Sequence, residues 1–239
     1  MSKRYKEFEK KVKLFYTDCE FAEYIANNHT LLRDKTNSKG FEFKKKKEQY
    51  QLLSKVSSAL ERKNIAHHLR NTIYSSFIKD LYEEVYLYLF DTLTTVAEAF
   101  PNNSGRILNE CKISINPNEI LASTNHFEAL KVVTKEIFRF LEKEKSTKKL
   151  IMKISKKIGI DIDSNILEKA LPFLDLRHVL VHEDGKPSKK FLTAYHEYFK
   201  LRNNEKKLRL SHEIISKAYT NTIELISEID KKLEIKKLI

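Results

Sequence analysis

Four glycines and four prolines in 239 residues leave this chain few places to turn. Average usage over that length would supply about 17 and about 12. A sandwich or barrel needs a turn about every 8–12 residues, built largely from those two residues, so an all-β fold is excluded. Long helices with few connections are what remains. Hydrophobic residues make up 41% of the chain, with 14 Phe and 11 Tyr, which excludes wholesale disorder.

The apolar spacing agrees with a helical bundle. From Lys3 to Leu32, residues Phe8, Val12, Phe15, Phe21, Tyr24 and Ile25 fall mostly three or four apart, which predicts a first helix. Arg33 to Gly40 is polar and holds one of the scarce glycines, so residues 1–40 are expected to form a helical extension and linker, with residues 41–239 as the main α-helical domain. A helix over Lys44–Lys63 is expected next. Between Asn64 and Phe100, residues Leu69, Ile73, Phe77, Leu81, Val85 and Leu89 repeat at four, and Ile78, Tyr82, Tyr86 and Phe90 widen the stripe. Apolar residues on that much of the circumference predict the central helix of the bundle.

Pro101 to Gly105 should end that helix, with irregular chain through Asn118. Further helices are predicted over Glu119–Glu144 and Thr147–Ile158, the second with Ser146 as N-cap and Gly159 as stop. Asp163 or Ser164 should cap a helix over Asn165–Glu183, closed by Gly185 and Pro187. A short helix over Lys189–Leu201 follows. Ser211 then caps a final one, whose core side is Ile215, Ala218, Thr222, Ile226, Ile229 and Leu233.

Charge narrows the partners. Lys and Arg number 45 against 33 Asp and Glu, a net +12, which favours a polyanion such as nucleic acid. Lysines cluster at 44–47, at 148, 149, 153, 156 and 157, at 189–190, and at 231, 232, 236 and 237. Any one cluster is more simply a solvated helix face. A helix-turn-helix regulator would need a basic and amide-rich recognition helix after a tight turn, and none stands out. No apolar run approaches the ~20 residues of a membrane span, and the first residues lack the apolar stretch of a secretion signal. The expectation is a cytoplasmic protein with no membrane contact. Cys19 and Cys111 suit neither a disulfide framework nor a zinc site, and no cofactor or metal is expected.

One stretch carries chemistry. In Leu176-Arg177-His178-Val179-Leu180-Val181-His182-Glu183-Asp184-Gly185-Lys186-Pro187, two histidines and an arginine fall within six residues at a helix end. His178 and His182 are four apart and share a face. Val179, Leu180 and Val181 should face a core or a partner. A structural role stays open for each: His182 could donate to free carbonyls, Arg177 could pair with Asp175 or Glu183, and His178 could be an ordinary surface residue.

The run Arg177-His178-Val179-Leu180-Val181-His182, closing a helix before a Gly turn, resembles the signature of HEPN domains. The continuation from Glu183 to Leu192 and the late helix ending Ile229-Asp230-Lys231-Lys232-Leu233 look similar as well, so the resemblance covers about Asn64 to Leu233. It implies an all-α, HEPN-like helical bundle that dimerises. It further implies a metal-independent endoribonuclease of toxin–antitoxin or anti-phage defence type, cutting an RNA substrate at a site shared by a homodimer. An antitoxin or defence-system subunit would be its regulator. On this reading His182 transfers a proton, Arg177 clamps phosphate and His178 orients one or the other. The alternative is a non-catalytic HEPN module that binds nucleotide, RNA or a protein partner. A second match to the spacing, Arg62 to His67, lacks the Gly stop and is expected to lie before the core helix, as a coincidence. His67-His68 has no third metal ligand at a useful spacing.

Overall fold

The computed structural model describes residues 1–28, 58–99, 107, 111–144, 146–199, 201 and 206–238, and these form eight helices and no strand. They are α1 (Lys3–Asn27), α2 (Ala59–Ala99), α3 (Pro117–Leu121), α4 (His126–Glu142), α5 (Thr147–Ile158), α6 (Ser164–His182), α7 (Lys189–Ala194) and α8 (His212–Ile235). The fold class is all-α, as expected.

The 41 residues of α2 span about 60 Å, and the helix packs against α1, α4, α5, α6 and α8. Of the expected stripe, Phe77, Ile78, Leu81, Val85 and Leu89 are buried, along with Tyr74 and Leu93; Ile73, Tyr82, Tyr86 and Phe90 are half-buried, and Leu69 is 46% exposed. Its start differs from the expectation. Ser58 and Glu61 cap each other: the Ser58 N–H and hydroxyl both donate to Glu61 Oε2 at 3.0 Å, and the Glu61 N–H returns to Ser58 Oγ at 3.1 Å. This reciprocal cap starts the helix at Ala59, with no break at Asn64. Most of the expected Lys44–Lys63 helix, the linker at 33–40 and the terminator at 101–105 lie outside the described residues.

The capping signals explain the other boundaries. Ser146, Asp163 and Ser211 cap α5, α6 and α8 as expected, and Gly159 closes α5 at φ 82°. The single helix expected over Glu119–Glu144 is divided into α3 and α4. Thr124 donates its N–H and hydroxyl to Glu128 Oε2 at 2.8 Å, and Asn125 Oδ1 accepts the Glu128 N–H at 2.9 Å. Side chains that bond the local backbone so readily stop one helix and start the next. Likewise α7 ends at Ala194 and does not reach Leu201, because Phe199 turns inward onto Phe173 and stacks with Phe191 at 5.3 Å.

α1, which the sequence set apart with the linker, contributes Tyr5, Phe8, Val12 and Cys19 to the same core as α2 and α8. At its N-terminal end, Asp230 of α8 is fully buried and accepts the Ser2 N–H at 2.8 Å and the Tyr88 hydroxyl at 2.9 Å. Three helices meet at that carboxylate.

Candidate functional site

The site candidates sit on the last turn and a half of α6. Leu176 and Val179 are buried there, Leu180 is half-buried, and Val181 is 43% exposed. The inward positions 176 and 179 leave 177, 178, 181 and 182 on the outer side, so the apolar spacer is divided between core and solvent.

Arg177 and His182 come together, with Nη1 3.4 Å from Nε2. A guanidinium only donates, so in this contact the imidazole nitrogen accepts. Arg177 is also in contact with α2. Its guanidinium carbon lies 5.1 Å from the Tyr82 ring centroid, and Nη2 is 3.7 Å from Glu83 Oε1. Its Nε is buried with no hydrogen-bond partner. Neither Asp175 nor Glu183 is the arginine's partner; Asp175 accepts the Tyr195 hydroxyl at 2.5 Å. Burial first, then that carboxylate, pushes the Tyr195 phenol above its ordinary range.

His178 is 66% exposed, with Nε2 3.9 Å from Glu183 Oε1. Its ring centroid is 4.8 Å from that of His182, at an interplanar angle of 44°. All three sequence candidates are thus contiguous: Arg177 touches His182, and His182 lies beside His178.

The turn after α6 fixes this arrangement. The Val179 carbonyl accepts the N–H of Glu183 at 3.2 Å and that of Gly185 at 2.9 Å. Asp184 and Gly185 both take positive φ, 52° and 74°. Lys207 reaches back to Asp184 at 2.6 Å, and the Leu208 N–H donates to the Gly185 carbonyl at 2.8 Å. The hydrogen bond and charge of Lys207 hold the Asp184 carboxyl below its usual range.

Other sequence candidates separate from this cluster. Arg62 and His67 lie in the first turns of α2, inside the core helix, because the Ser58–Glu61 cap starts that helix earlier than the apolar stripe implied. Many clustered lysines serve the fold. Lys148 pairs with Glu168 at 2.9 Å, Lys153 pairs with Glu144, Lys157 is buried on the Ile107 carbonyl at 2.8 Å, and Lys236 binds the Gly159 carbonyl at 2.6 Å. Among the described residues, no group of three or more His, Cys, Asp or Glu is arranged to hold a metal, and no helix is long and apolar enough to cross a membrane.

Sequence reasoning missed Tyr82 and Glu83, the α2 residues that grip Arg177. Tyr82 was visible as part of the apolar stripe, and Glu83 as a charge beside it; nothing local says that α6 crosses there. The chain matches no family model, no curated protein and no solved structure.

Proposed function

We propose that this protein is a metal-independent endoribonuclease of HEPN type. It cuts RNA at a composite site of a homodimer, in a toxin–antitoxin or anti-phage defence role, with an antitoxin or defence subunit as regulator. One observation carries the reading: an arginine fork and an imidazole stand 3.4 Å apart on a solvent-facing helix end.

Cutting RNA without a metal means turning the ribose 2′-hydroxyl on its own phosphate. That takes a proton acceptor, a proton donor to the leaving oxygen and a cation over the charge developing on phosphorus. Histidine serves either proton role near neutral pH, and arginine's planar fork holds two phosphate oxygens at once. Arg177 and His182 are those two kinds of group, side by side. The resemblance of this helix end to HEPN nucleases sets two copies opposite each other about a two-fold axis, joining two basic ends in one cleft. The +12 net charge suits a polyanionic substrate.

A second reading has its own support. Arg177 is engaged by Tyr82 and Glu83 at the α2–α6 seam, as a structural arginine would be. That favours a non-catalytic HEPN module that binds nucleotide, RNA or a protein partner.

The purified chain, incubated with single-stranded RNA or tRNA in EDTA, separates the two. The nuclease reading expects cleavage that His182→Ala abolishes while the circular dichroism spectrum is kept. Cleavage that survives His182→Ala rejects the site, and cleavage that EDTA removes rejects the mechanism. Binding without cleavage supports the module.

A further inference from the structure

We propose that Glu83 is a displaceable counter-ion on Arg177, which the substrate phosphate pushes aside to reach the guanidinium. This rests on the ribonuclease reading above and adds to it a contact within the free chain that competes with RNA.

A ligand arriving from solvent meets one edge of the Arg177 fork. The Nε is buried, and the guanidinium carbon stands 5.1 Å from the Tyr82 ring centroid. What remains is the edge formed by Nη1 and Nη2, a pair of donors spaced to hold two phosphate oxygens. Nη1 faces His182 Nε2 at 3.4 Å, and Nη2 faces Glu83 Oε1 at 3.7 Å. The carboxylate therefore stands where a phosphate oxygen would bind. Two anions at such close range repel, so Glu83 and phosphate exclude each other from Nη2.

Phosphate wins this exchange. At 3.7 Å the Glu83 contact is an ion pair too long for a hydrogen bond, and the Glu83 side chain is 58% exposed. An exposed pair of that kind holds weakly against water and salt. A phosphodiester makes two charge-assisted hydrogen bonds in its place. The exchange takes place in the plane of the fork, so the Tyr82 ring keeps its hold on the guanidinium. Other carboxylates nearby are engaged elsewhere: Glu84 accepts from Lys11 Nζ at 3.1 Å, and Asp175 accepts the Tyr195 hydroxyl at 2.5 Å.

The test uses the full chain and two RNAs in EDTA. One is an ordinary single strand, for cleavage. The other is a fluorescent 2′-O-methyl RNA, which lacks the attacking hydroxyl and reports binding alone. Removing the competitor should tighten binding and leave the chemistry unchanged. Glu83→Gln should lower KM for the first RNA and Kd for the second about five-fold, with kcat within about two-fold of wild type. In an Arg177→Gln background the same substitution should change Kd by less than about two-fold, because the competition acts through the guanidinium. An equal gain in both backgrounds would be the general effect of removing one negative charge, and it overturns the proposal. So does a KM or Kd that stays unchanged or rises. A wild type that binds the 2′-O-methyl RNA but leaves the ordinary RNA whole removes the nuclease reading, and the two Kd comparisons still decide for or against Glu83. A wild type that binds neither RNA overturns both.

Discussion

The guanidinium of Arg177 lies over the ring of Tyr82, its carbon 5.1 Å from the centroid, and this contact joins the end of α6 to the middle of α2. The same side chain reaches His182 with Nη1 and Glu83 with Nη2. A planar fork with fixed donors can serve these neighbours together; a single ammonium cannot.

On the ribonuclease proposal, Arg177→Lys keeps the charge and loses the two-point grip on phosphate. Cleavage of single-stranded RNA should fall about 100-fold. The lost ring contact costs only about 0.5–1 kcal/mol, so the thermal midpoint by circular dichroism should drop by a few degrees at most. A lysine variant that cuts at the wild-type rate would show that charge alone suffices there.

Gly185 has φ 74°, where a β-carbon is strained. The added carbon would meet Lys207 Cβ at 4.0 Å, an ordinary contact, so the cost comes from the backbone. Gly185→Ala should lower unfolding stability by about 1 kcal/mol in urea titration, and Gly185→Asn by less, since asparagine tolerates this region better. Equal losses for the two would place the cost in packing.

Acid should loosen the α1–α2 contact. Burial raises the Glu23 carboxyl, but hydrogen bonds from Tyr74 at 2.6 Å and from Asn27, with the Arg70 charge, outweigh it and leave the group below its ordinary 4.5. A carboxyl depressed in the folded state contributes stability above its unfolded value and loses it as pH falls through the folded one. The urea midpoint should therefore decline below about pH 4.5. Tyr74→Phe removes one of the lowering hydrogen bonds, so its midpoint should fall less between pH 6 and pH 3 than the wild type's. Parallel pH curves for the two proteins would rule out Glu23 as a contributor.

Local chemistry explains which boundaries could be read in advance. Ser146, Asp163, Ser211 and Gly159 act through bonds to backbone two to four residues away, so their roles are written in adjacent letters. Ser58–Glu61 and Thr124–Glu128 are equally local and were legible, but the apolar stripe and the long Glu119–Glu144 pattern drew the helix limits past them. The Phe199 turn was not legible, because its cause is the distant Phe173.

By itself the sequence determined the helical class, through its scarcity of turn-formers, and the central helix, through a stripe too wide for a surface. It also determined that Arg177, His178 and His182 share one helix end, since that follows from spacing. Only the tertiary structure decided which groups face them. Tyr82 and Glu83 reach Arg177 because α2 and α6 cross there, and α1 enters the core because Asp230 and the apolar faces of α2 and α8 receive it. Contacts between helices far apart in sequence depend on how whole faces fit together, and no local pattern encodes that fit.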